Sequence, residues 1–177
     1  MFLFNIMKDK IMSFFKLFKQ KGNSGKKIYN WAMNMAIKNH PSIFEKESTT
    51  EAERIEKFEK ISAYMAVALW SLKNKGEENN KAIQHAQEIM FEHFDIALRE
   101  QGVGDMKIGR EVKNLAAAFL GRLSAYSYSW SKKDEEQLKA SLLKNNFCEE
   151  TESQEAAKKL MALATVIDKQ DNFKFDN

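Results

Sequence analysis

ALREQGVGDMKIGREVKNLAAAFLGRLSAY, residues 97–126, places four of the chain's seven glycines inside sequence that otherwise repeats with helical periodicity. Glycine in a helix interior costs about 1 kcal/mol relative to alanine, so these positions should do something a helix interior does not need. Gly102 follows directly on the periodic run that ends at Leu98 and suits the left-handed C′ position that closes a helix. Val103 is then C″ and Leu98 C3, the pair that makes the hydrophobic contact of a Schellman motif. Gly104 lets the chain reverse without steric cost. Asp105 either caps the next helix or accepts turn hydrogen bonds from its own loop. The stretch predicts a helical hairpin. One helix runs over about 79–101, and a second starts between Asp105 and Arg110 and continues to about Ser131.

The second of these helices has an unusual wheel. Val112, Leu115, Phe119 and Leu123 make an apolar face, and the opposite side holds Arg110, Asn114, Ala117, Ala118 and Gly121. Small residues let another helix approach closely. Two readings follow. Either this helix is central and buried on both sides, or its small-residue side is a docking groove for an apolar helix, rimmed by Arg110, Lys113 and Arg122. Arg99, Asp105 and Arg122 are either paired with one another to secure the hairpin or contact a partner.

Outward from the hairpin the pattern stays helical. The 177 residues include one proline and seven glycines, with 44% hydrophobic and 30% charged residues, which describes a folded domain built of long elements. Ile28, Trp31, Ala32 and Met35 mark a helix that ends before Pro41, and NSG at 23–25 reads as a short linker ahead of it. Residues 41–49 read as a loop. Thr50 and Glu53 have capping-box spacing ahead of Ile55, Phe58, Ile61, Met65, Leu69 and Leu72. KNKGEENN closes that helix. Asp134 caps another helix with Leu138, Leu142 and Leu143, and a last helix over about 152–169 buries Ala156, Leu160, Leu163 and Ile167. No alternating strand pattern is present. The expected architecture is all-α: a single helical-bundle domain of about six helices preceded by an amphipathic basic helix. The expected boundaries are an arm and linker at 1–25, the domain at 26–170 and a tail at 171–177.

The arm is apolar and basic. Over residues 1–27, Lys8, Lys10, Lys16, Lys19, Lys21, Lys26 and Lys27 stand against Asp9, although the whole chain has a net charge of only +3. Phe14, Phe15 and Phe18 fall at helical spacing, with Lys8, Lys16 and Lys19 mostly elsewhere on the wheel, so the segment suits an anionic membrane surface. A terminal helix packed on the domain is the competing reading. No apolar run reaches the ~18–20 residues of a membrane span. The lysines break the apolar run and no small-residue cleavage site follows, so the segment is expected to stay uncleaved. Met12 is a second candidate start.

Catalytic patterns are missing. His85 and His93 lie eight residues apart near Glu88, Glu92 and Asp95, without the Glu-x-x-His pairs of di-iron bundles, so no metal is expected. Cys148 is the only cysteine, which excludes an intrachain disulfide and fits a reducing compartment. GVGDMKIG follows no strand and is no phosphate loop. Trp31, Trp70 and the YSYSW of 126–130 read as core aromatics, since no basic stripe interleaves them for specific nucleic-acid binding.

Leu98, Arg99, Glu100, Gly102, Val103, Gly104 and Asp105, then Lys113, then Ala118, Phe119, Gly121, Arg122 and Tyr126 follow a long pattern. On these residues the chain resembles the ubiquinol–cytochrome c chaperone family, in its bacterial type. DEEQLKASLLKNNF, with Asp134, Leu138, Leu142 and Asn145, is similar to the family's next helix, and Tyr29, Pro41 and Phe44 to its opening. EAERIEKFEKISAYMAVALW, residues 51–70, lacks the Gly-Arg-Phe segment and the Leu-His pair expected there. The resemblance covers roughly residues 26–147, leaving the arm and the last helix outside. It implies an all-helical, non-enzymatic assembly factor without a cofactor. Its client would be newly made cytochrome b, which the family's mitochondrial members meet with a small partner protein and at the ribosome; for this chain the further partner would be a small protein or the ribosome. Partner binding would fall on Arg99, Gly102, Gly104, Asp105, Arg110, Lys113, Ala117, Ala118, Gly121, Arg122 and Tyr126. The expected location is cytoplasmic, peripheral at the inner membrane. The alternative is a peripheral membrane or ribosome-associated adaptor without chaperone activity.

Overall fold

The computed structural model describes residues 23–45, 47, 50–170 and 175. These form α1 (Asn23–Asn39), α2 (Pro41–Phe44), α3 (Glu51–Asn74), α4 (Asn80–Glu100), α5 (Asp105–Lys132), α6 (Glu135–Lys144) and α7 (Ser153–Asp168). Single 3₁₀ turns at Glu77–Asn79 and Glu150–Glu152 lead into α4 and α7. The fold is an all-α bundle, with no strand among the described residues.

Helix α3 is the axis. Its start is the expected capping box: Glu53 N–H donates to Thr50 Oγ1 at 3.3 Å, and Thr50 N–H to Glu53 Oε2 at 3.0 Å. From Phe58 to Leu69 every residue is buried, whichever way it points, so α3 is not the one-sided amphipathic helix its periodicity suggests. Ala63, Ala66 and Ala68, all at 0% exposure, keep its surface shallow enough for α1, α5 and α7 to pack around it. Ile55, expected to face inward, stands 42% exposed ahead of that run. The role of central helix, one of the two readings for α5, therefore belongs to α3.

The far end of α3 is tied to the end of the last helix. Asn74 Nδ2 donates to Asp168 Oδ1 at 3.0 Å, and Lys75 Nζ donates to the carbonyls of Ile167 and Gln170 at 2.9 and 2.6 Å. A cation at that place also complements the negative end of the α7 dipole. On α7 the buried row is Ala157, Leu160, Ala164 and Ile167; Ala156 and Leu163 sit to its side, half-buried.

Near the start of the described chain, NSG is not a linker: α1 begins at Asn23. Gly25 is pressed under α4, where an added Cβ would lie 2.6 Å from His85 Nδ1 and 2.8 Å from its Cβ. Ile28, Tyr29, Ala32 and Ala36 carry α1 onto α3 and α4. The expected loop after it contains a single helical turn, α2, which Pro41 starts because its fixed φ and missing N–H suit a first helical position. Phe44 of that turn is buried.

Three successive helices stop by the same device. Gly102 (φ 75°) closes α4, with Val103 N–H on Leu98 O at 3.1 Å and Gly102 N–H on Arg99 O at 2.9 Å, the two bonds of a Schellman motif. The same bond pairs run from Asp134 to Ser129 and Lys133 to Trp130 after α5, and from Phe147 to Leu142 and Asn146 to Leu143 after α6. Asp134 then caps α6, accepting from Gln137 N–H at 2.9 Å. Lys133 and Asn146 hold the left-handed position at φ 55° each. Lysine is poorly suited to that conformation. Lys133→Gly should therefore stabilise the protein by about 0.5–1 kcal/mol, read as a higher thermal midpoint. An unchanged or lower midpoint would count against the strain. Gly104 differs from the expectation: at φ −63°, ψ 142° its backbone is extended, which any residue adopts.

Candidate partner-binding site

The α4–α5 hairpin is built as its sequence proposes, and its two arginines are used differently. Arg99 donates to Asp95 and, at 2.7 Å, to Asp105 Oδ1. Gly104 occupies the N-cap of α5 and Asp105 its first turn, so this carboxylate neither caps nor closes its own loop; it ties α5 back to α4. All of this is at the surface, with Asp105 87% exposed, and screening by water leaves such pairs worth little.

Arg122 points the other way, into the protein. Its Nε donates to Glu59 Oε2 at 2.6 Å and its Nη2 to Glu59 Oε1 at 2.5 Å, a two-pronged pair, while Nη1 donates to Ala118 O at 2.9 Å. The guanidinium also lies 5.1 Å from the Phe58 ring centre. Glu59 is 1% exposed. Burial raises its pKa, and the hydrogen bond and charge of Arg122 pull against that rise. Arg122 is thus paired, though not with Arg99 and Asp105. Tyr126, one turn further, has no exposed surface, and its hydroxyl accepts from Asn145 Nδ2 at 3.4 Å. Of the aromatic run, Tyr126 and Trp130 face inward and Tyr128 faces out.

The outer side of α5 carries what remains. Gly109, Arg110, Lys113, Asn114, Ala117, Leu120, Gly121 and Ser124 are all exposed. A Cβ added at Gly121, or at Gly102, Gly104 or Gly109, would meet nothing within 4 Å. Among the described residues the glycines of α5 therefore serve no packing, and of the predicted small-residue face only Ala118 turns toward the core. Met106 (99% exposed), Leu120 (52%) and Tyr128 (58%) lie on the same side. The described structure thus supplies the open face the groove reading requires. The membrane-surface residues Lys8, Phe14, Phe15, Lys16, Phe18 and Lys19 lie outside the described residues.

A second polar cluster begins at Lys60, next to Glu59 on α3. Lys60 Nζ donates to the Phe147 carbonyl and lies 4.2 Å from that ring's centre. Burial lowers its pKa against the pull of Glu56. His40 Nε2 and Tyr64 Oη are 3.3 Å apart. His93 stacks edge-on against Tyr29 at 4.7 Å, and His85 covers Gly25, so the histidines are spread through the packing. Among the described residues no group of three or more His, Cys, Asp or Glu converges to hold a metal, and no helix is long and apolar enough to cross a membrane.

Burial lowers the pKa of His93 to about 4, helped by the charge of Lys26, and that of His40 to about 4, helped by Lys60 and Lys159. Between pH 6.5 and about 4 the unfolded chain then binds protons that the folded chain refuses. Stability is full above pH 6.5 and falls as the pH drops through that window. For His93 the loss should be about 2–3 kcal/mol. Urea midpoints of the parent and His93→Gln, measured from pH 7 to 4, should converge as the pH falls; parallel curves would refute the assignment.

The profile of the ubiquinol-cytochrome C chaperone family matches residues 53–172. The chain belongs to this family. The match begins inside α3 and runs past α7, so the last helix, which the motif resemblance left out, is part of the family's extent, and α1 precedes it. Among solved structures, the Cbp3 homolog from Brucella abortus superposes with a TM-score of 0.67 at 20% identity, covering 90% of this chain and 88% of that one. At that identity the likeness carries the fold alone. No curated protein matches the sequence.

Glu59 is the residue that motif reasoning missed. It stands 63 positions from Arg122, so no helical period connects them. The available signal was a Glu-Lys pair at the head of an otherwise apolar run, since a carboxylate carried into a core needs a cation beside it.

Proposed function

We propose that this protein is a non-enzymatic assembly chaperone for the ubiquinol–cytochrome c reductase, binding cytochrome b, or a small protein that accompanies it, at the inner face of the membrane. Family membership supports the chaperone role. The observation that carries the binding part is the outer face of α5, which no described residue covers and where Gly121 has open space. Arg99, Gly102, Gly104, Asp105, Arg110, Lys113, Ala117 and Gly121 border that face; Ala118, Arg122 and Tyr126 hold it from behind. The basic, apolar sequence of residues 1–25 would keep the protein at an anionic surface.

The test is recovery of tagged protein from detergent-solubilised membranes of cells making the complex, probed for cytochrome b. An Ala117→Leu/Gly121→Leu variant, which fills the open face and leaves the core alone, runs beside it. The reading expects cytochrome b with the parent and loss of most of it with the variant. Cytochrome b absent from both would favour a peripheral membrane or ribosome-associated adaptor. Equal recovery would move the binding surface off α5.

A further inference from the structure

The outer face of α5 is not uniform. At its N-terminal end stand Arg110 and Lys113, with Lys107 on the flank about 100° round the helix, all exposed. Lys107 and Lys113 have no carboxylate partner among the described residues, and Arg110 has only Glu111 at 3.7 Å. Beyond Lys113 the same face holds Ala117, Leu120, Gly121, Ser124 and Tyr128 and no charge. Counting 100° per residue, Met106, Arg110, Lys113, Ala117, Leu120 and Tyr128 fall within about 40° either side of one line. That line is about 33 Å long at 1.5 Å per residue. The face therefore has a cationic third and an apolar remainder in fixed order.

We infer that this face docks one amphipathic helix of a partner protein. The partner helix carries carboxylates on the turns that meet Arg110 and Lys113, and small or apolar side chains on the turns that meet Ala117, Leu120 and Tyr128. Lys113, without a carboxylate partner among the described residues, and Arg110, with only the 3.7 Å contact to Glu111, select the acid end, and Gly121 lets the two backbones come close. Charge argues against the chain's own segment 1–22, which is lysine-rich and would be repelled by the same cations. It also argues against a second copy: two such faces packed parallel set cation on cation, and packed antiparallel set cations on apolar surface. The inference takes from the chaperone reading only that a partner exists.

The test places a photo-crosslinking residue at Leu120 and, separately, at Val166 on α7 as a control, in the full chain expressed in cells making the reductase. Cross-linked peptides are identified by mass spectrometry. The expected result is a partner segment joined at position 120 with Asp or Glu at helical spacing on the side toward Lys113. Arg110→Glu/Lys113→Glu, two exposed changes checked for folding by circular dichroism, should cut that adduct about tenfold, and exchanging the partner's carboxylates for lysine should restore it. An adduct of this kind to a protein other than cytochrome b keeps the inference and removes the direct client reading. Adducts to a second copy, to residues 1–22, to lipid or to a segment without acidic residues overturn it, as does an absence of adduct at position 120.

Discussion

Glu59→Ala should destabilise the protein by about 3–5 kcal/mol, because it leaves the Arg122 guanidinium, 16% exposed, against Phe58 and Ala118 with no anion to meet it. Removing one member of a buried pair is costly for that reason, whereas removing both and filling the space often is not. Glu59→Leu/Arg122→Met should therefore recover most of the loss. Denaturant unfolding of Glu59→Leu, Arg122→Met and the double variant, run as a cycle, measures this. A double variant no better than the sum of the singles would mean that the pair does more than neutralise itself. For function the consequence is practical: a defect in an Arg122 variant reports on α3–α5 packing and cannot by itself locate a partner.

Neighbouring positions on α5 should give the second large effect and its contrast. Phe119 is fully buried, edge-on to Phe91 with ring centres 6.1 Å apart. Phe119→Ala should cost about 3–5 kcal/mol through lost transfer energy and the cavity it leaves. Leu120, next in sequence, is 52% exposed. Leu120→Ser should change stability by less than about 0.5 kcal/mol and still weaken partner binding. Unfolding midpoints beside co-purification yields separate the two. A large stability loss at Leu120 would mean that this face is covered.

Much of this was readable in the residues because it is local. The Thr50 capping box, the Gly102 stop and the Asp134 cap are short-range devices whose partners lie within a few residues, and all three form. What was not readable depends on which element lies across the gap. Periodicity assigned α3 a single face because it weights apolar against polar residues, and Ser62, Glu59 and Lys60 look like an outer side until α1, α5 and α7 surround them. The same limit left two readings of α5 open, since small residues permit close approach without saying whether a neighbour is there. Arg122 was singled out by its motif, but its orientation was decided by Glu59 on another helix.

Helix α3 has one further consequence, in the order of synthesis. Of the helices that surround it, α1 precedes it in the chain while α5 and α7 follow, and α7 is the piece that Asn74 and Lys75 fasten. A growing chain that has made Leu69 must keep that apolar run unsheathed until Ile167 emerges, about 5–20 s later at about 5–20 residues per second. Ribosome-bound chains halted before residue 153 should thus be cleaved by protease within 58–69, and chains halted with α7 outside the exit tunnel should resist. A protein that belongs to a chaperone family is itself, for those seconds, a chain with an unprotected core.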